Sequence, residues 1–164
     1  MKRLYTILFT SLLLLILIPF VSVMAVFQQS PTYTHYIYML SHANLAHWLF
    51  NTISLFVLRN VVSVSRSVVA WMVAVLISFV VWHIPFMQPA KPVAGLSVIL
   101  FFFVGFLFRW IRHDKDSLMQ VVAVLGLGFM IPNMAASCHL LAFLAGFLYS
   151  LIEREVRYLR SFLK

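Results

Sequence analysis

Apolar residues in this chain are gathered into runs separated by short connections that carry the polar residues. The runs cover roughly residues 4–27, 45–58, 68–84, 96–111, 118–131 and 136–152. Lengths of about 15 to 25 residues are those of membrane-spanning helices. The pattern predicts an all-α polytopic membrane protein, a compact six-helix bundle forming a single domain over 1–164. Several runs are short for a full span. Such helices tilt little or thin the bilayer, and a compact bundle shields their polar ends. Apart from the proline-bearing loop 85–92, no linker, repeat or low-complexity tract interrupts the chain.

The charges test this division, because cytoplasmic loops carry the excess of Lys and Arg. Lys2, Arg3, Arg59, Arg66, Arg109, Arg112, Lys115, Arg154, Arg157, Arg160 and Lys164 fall on one side of the six-span topology, and Lys91 alone falls on the other. Eleven against one supports six spans with both termini in the cytoplasm, and a plasma or inner cell membrane is the expected location. A second reading of the first run is a cleavable signal peptide, with Lys2 and Arg3 before the apolar stretch and Val23 and Ala25 at the small-residue positions. The run exceeds the usual length of about 7 to 15 residues of a signal core, which favours a span.

Composition agrees: 63% of residues are hydrophobic and 10% charged, too few charges for a soluble surface. The net charge of +8 is spread over short connections beside apolar runs, so it reads as a topology signal and not as a nucleic-acid surface. A lone cysteine, Cys138, excludes an internal disulfide and a Cys-based structural zinc site.

On this topology His35, His42, His47, Asn51, His83, Ser97, Cys138 and His139 all lie in outer loops or outer helix turns. A lone membrane Ser usually bonds its own helix, and a His near a helix end reaches interfacial water. Convergence at one depth on three spans is different, because polar groups there are costly and mark functional sites. Asn51 follows His47 by four residues, which puts both on one inward face of the second span, with Ser41 expected as its N-cap. Ser97 follows Gly95 at the outer start of the fourth span. In the sixth span His139, Ala142, Gly146 and Ser150 form one stripe of small residues headed by a histidine, a surface for close approach by another helix. If that helix is the fourth, Ser97 and His139 meet as nucleophile and general base.

The segment Ser41-His-Ala-Asn-Leu-Ala-His-Trp-Leu-Phe-Asn51, followed by Gly95-Leu-Ser97 and by His139 with Gly146 downstream, resembles the rhomboid family of intramembrane serine proteases across all six spans. The resemblance implies a Ser-His dyad without an acid member: Ser97 as nucleophile and His139 as base and acid. It further implies Asn51, His47 and the Ser97 backbone N–H as holders of the oxyanion, with Gly95 and His42 as supporting residues. It implies a transmembrane protein substrate, cut near the outer face and entering past the fifth span (Gly126, Gly128), contact with membrane lipid, and neither cofactor nor metal.

The chain departs from the family pattern in Val98, where Gly usually follows the serine, and in Ala142, where Gly usually follows the histidine by three. Both are bulkier and are expected to widen the contact between the fourth and sixth spans. The first outer loop, 28–41, is short and lacks the family's Trp-Arg pair. Two other functions compete. A rhomboid-like protein that binds transmembrane clients without cutting them is disfavoured by retention of Ser97, His139, His47 and Asn51. A metal transporter using the outer histidines is disfavoured by inner helix halves almost free of carboxylate and histidine.

Overall fold

The computed structural model describes residues 24–27, 30–89, 91–111, 113, 115–116, 119 and 135–162. The expected first span apart from its last four residues, and the expected fifth span with Gly126 and Gly128, Met119 excepted, lie outside the described residues. Those described form α1 (Thr34–Ile37), α2 (Leu45–Val57), α3 (Val64–His83), α4 (Ser97–Ile111) and α5 (Ala136–Phe162). Short 3-10 turns stand at Tyr38–Leu40, Leu58–Asn60 and Pro85–Met87. Extended pairing among the described residues is confined to an isolated antiparallel bridge between Val26 and Val93.

The apolar runs over 45–58, 68–84, 96–111 and 136–152 fall on α2, α3, α4 and α5, and where the ends differ the cause is local. Helix α3 begins at Val64 because Ser63 caps it, its Oγ accepting from the Arg66 N–H at 3.4 Å. It stops at His83, two residues before Pro85, whose ring disfavours helical backbone at Ile84. Helix α5 continues past 152 because Glu153, Arg154, Glu155, Arg157, Leu159 and Arg160 are helix formers that need no apolar partner.

The cap of α2 is a correction. Ser41 is not the N-cap: residues 41 and 44 are extended, the helix starts at Leu45, and the Asn44 side chain accepts from the His47 N–H at 2.8 Å. Asn44 immediately precedes the first helical residue, so its oxygen reaches the third helical amide, as a cap must. Ser41 Oγ instead donates to the Tyr38 carbonyl at 3.3 Å.

Helix α3 buries Ala70, Ala74, Ile77, Ser78 and Val81 on one side. On the other it exposes Val68, Met72, Leu76 and Val80, an apolar stripe at four-residue spacing. In water that stripe would be an aggregation surface, and in a bilayer it is an ordinary lipid face. Two described helices, Val64–His83 and the Ala136–Val156 part of α5, are long and apolar enough to cross a membrane, and Ser97–Ile111 is a shorter apolar helix.

Among the described helices, α4 and α5 make the closest contact. A Cβ on Gly105 would overlap the Phe143 carbonyl, and a Cβ on Gly146 would overlap the Phe102 carbonyl. Each backbone thus enters the space left by the other's glycine. At the far end from Ser97, Arg66 of α3 pairs with Glu153 of α5 at 2.9 Å, donates to the Val61 carbonyl at 3.0 Å and lies 4.5 Å from the Phe106 ring centroid. One guanidinium therefore ties α3, α4 and α5 together.

Candidate active site

Gly95 has φ of +98°, a conformation that side-chain-bearing residues rarely adopt. A side chain there would also push its neighbours aside. A Cβ on Gly95 would stand 2.7 Å from His47 Cε1, 3.0 Å from His47 Nε2 and 3.2 Å from Asn51 Nδ2. The turn into α4 therefore lies against the polar face of α2, and it is held there by the Gly95 N–H donating to the Tyr38 carbonyl at 3.0 Å.

Two residues on, Ser97 opens α4 with its Oγ 2.9 Å from His139 Nε2. His139 stands in the first turn of α5, which is anchored by Ser137 Oγ donating to the Met87 carbonyl at 2.7 Å. For Ser97 O–H to donate to Nε2, the neutral imidazole carries its proton on Nδ1. That nitrogen is buried and has no hydrogen-bond partner among the described residues. The ring is oriented by Phe101, which stacks on it with centroids 4.3 Å apart and planes 13° from parallel. Phe101 was not singled out from the sequence, although its place one helical turn after Ser97 is a usable signal.

With Val98 and Ala142 in the seam, Ser97 Oγ and His139 Nε2 still stand at hydrogen-bond distance. Both bulkier residues are fully buried, while the closeness of α4 and α5 comes from Gly105 and Gly146. Gly105 was also missed by sequence reading. A glycine inside an apolar helix is the sign that finds it.

Asn51 is 1% exposed, yet neither its Oδ1 nor its Nδ2 has a hydrogen-bond partner among the described residues. Buried amides are almost always paired, so one held open beside a serine turn invites a functional explanation. His47, one turn earlier on α2, is half-buried and in edge contact with His42, ring centroids 5.3 Å apart.

His42 lies in the loop before α2, fully buried, with both ring nitrogens unpaired among the described residues. It packs beneath the site without a described hydrogen-bond network of its own. Burial, and secondarily the neighbouring His47, lowers its pKa from 6.5 to about 4. The folded protein thus favours neutral His42, so stability is full above pH 6.5 and is lost as pH falls toward 4. Thermal unfolding in detergent between pH 7.5 and 4.5 should show a falling midpoint, and His42→Gln should flatten that fall.

His35 and His83 are engaged elsewhere. His35 Nδ1 lies 2.6 Å from Ser78 Oγ with its ring stacked on Phe79, and the exposed His83 has Nδ1 2.6 Å from the Phe79 carbonyl. His35 thus fastens α1 to α3, whereas the His83 contact lies within α3. Among the described residues no three His, Cys, Asp or Glu side chains are grouped to hold a metal, and Cys138 is buried as a free thiol.

A family model described as the Rhomboid domain matches residues 29–156, most of the chain. No curated protein matches it.

Proposed function

The chain belongs to the rhomboid family, which is membrane-embedded, and from that premise we propose that it is an intramembrane serine endopeptidase working with Ser97 and His139. The observation that carries the reading is the 2.9 Å approach of Ser97 Oγ to His139 Nε2, at a turn packed against the unpaired Asn51 amide. The family's members are generally serine proteases of this kind. The reading includes six spans with both termini in the cytoplasm of a plasma or inner membrane. The substrate is a transmembrane protein that enters past the fifth span and is cut near the outer face.

In this mechanism His139 Nε2 takes the Ser97 proton as Oγ bonds to the scissile carbonyl carbon, whose oxygen becomes negative. Asn51 Nδ2, the His47 ring and the Ser97 N–H stabilise that oxygen. The tetrahedral species collapses with cleavage of the C–N bond, and His139 gives the proton to the departing amine. Water, deprotonated by His139, then releases the acyl group from Ser97. With no acid partner for Nδ1 among the described residues, Phe101 stacking supplies the orientation that a carboxylate supplies in a triad.

An active-site-directed fluorophosphonate should label Ser97, located by mass spectrometry, and labelling should be lost in His139→Ala. No adduct on folded wild-type protein would overturn the reading in favour of a client-binding relative. Asn51→Ala should lower kcat by about 100- to 1,000-fold with KM little changed, because a donor aimed at the developing oxyanion acts in the transition state. Its removal also deletes an unpaired buried amide, so the unfolding midpoint should not fall in proportion.

A further inference from the structure

The turn that carries Ser97 is held at two backbone points outside the reacting groups. The Gly95 N–H is bound by the Tyr38 carbonyl at 3.0 Å. Tyr38 is itself fixed, 1% exposed, with its hydroxyl donating to the Ala74 carbonyl of α3 at 3.1 Å. The second point lies two residues earlier. Val93 N–H donates to the Val26 carbonyl and Val26 N–H donates to the Val93 carbonyl, both at 2.9 Å, in an isolated antiparallel bridge. Val26 is 1% exposed and Val93 8%. Among the described residues the bridge does not continue into a ladder, and these two bonds tie residue 26 to the turn four residues before Ser97.

From this geometry we infer that Val26, at the outer end of the first apolar run, is a positioning residue for the reaction, acting through Val93 on the placement of Ser97. The inference rests on the proposed protease reading for its effect on rate. The physical argument is one of constraint. Pro92 lacks an N–H, and the turn must hold Gly95 at positive φ against the His47 ring and the Asn51 amide, a conformation that two paired backbone groups at Val93 keep from relaxing. Freed from Val26, the segment 92–96 would lose its fixed entry into α4, and Ser97 Oγ would sample positions away from His139 Nε2. Displacements of about 1 Å at a nucleophile cost on the order of 100-fold in rate.

The test separates the N–H from the side chain of Val26. Val26→Pro removes the donor, and incorporation of valine's α-hydroxy acid at position 26 removes it while keeping the side chain and leaving φ unrestricted. Both should slow fluorophosphonate labelling of Ser97 and kcat by about 10- to 100-fold, with KM within about twofold. Both should also raise amide hydrogen exchange in the peptide 92–97. Val26→Ala, which keeps the N–H, should lower the unfolding midpoint and leave those readouts near wild type. Wild-type exchange in 92–97 for the hydroxy-acid protein would overturn the inference whatever the activity. So would equal slowing by Val26→Ala and the hydroxy-acid variant, since packing and not the bridge would then be responsible. Altered exchange with no labelling of wild type would uphold the clamp and reject the protease reading, so the two failures are distinguishable.

Discussion

Ser97→Ala is expected to abolish cleavage of a transmembrane substrate in reconstituted vesicles, lowering the rate by roughly 10⁴- to 10⁶-fold, the scale on which removal of a serine nucleophile acts. The substitution deletes one oxygen from a half-buried residue at the head of α4 and leaves His139 Nε2 without the partner now 2.9 Å away. Its cost in stability should be about 1 kcal/mol, the ordinary value for one such bond, so the inactive protein should still unfold cooperatively near the wild-type temperature. His139→Ala should match Ser97→Ala in rate, and the double variant should be no worse than either, because the two groups act as a unit. Cleavage by Ser97→Ala at more than about a thousandth of the wild-type rate would remove Ser97 from the nucleophile's role.

Much of this arrangement was legible in the chain. Spacing placed His47 and Asn51 on one face of a helix, and Asn51 is buried there. The stripe His139, Ala142, Gly146 and Ser150 is buried as one surface, as expected of a seam between helices. These readings succeeded because helical periodicity acts within a single segment. The cap of α2 was misplaced because Ser41 and Asn44 are both good caps, and the choice depends on where backbone leaves the extended conformation. Phe101, Gly105, Tyr38 and Val26 went unnoticed for a related reason. Each acts through a partner distant in the chain, respectively His139, Phe143, Gly95 and Val93, and no periodicity joins such pairs. Val98 and Ala142 lie buried in the same seam, and the glycines that let the two backbones meet stand further along, where Gly105 and Gly146 face opposing carbonyls.

That contact supports the second large effect. Gly146→Ala places a methyl where the Phe102 carbonyl oxygen now lies, and the obstacle is backbone of a neighbouring helix, which cannot turn aside as a flexible side chain would. Helices α4 and α5 must therefore part by about 1 Å or more to regain van der Waals contact, at a cost of roughly 1 to 3 kcal/mol typical of overpacking. Gly146 lies two turns from His139, and Gly105 just over two turns from Ser97. The parting therefore pulls on both ends of the 2.9 Å hydrogen bond between Ser97 and His139. Labelling of Ser97 and cleavage should each fall about 100-fold. Gly105→Ala should do the same, because its methyl would meet the Phe143 carbonyl. The two substitutions should be less than additive in unfolding free energy, since helices already parted by one methyl have room for the other. Leu148→Ala, on the outward face of α5 at 57% exposure, should leave both labelling and the unfolding midpoint close to wild type. Full additivity of the glycine pair would mean that each side relaxes locally, and wild-type labelling by Gly146→Ala would show that Ser97 and His139 are aligned by their outer turns alone.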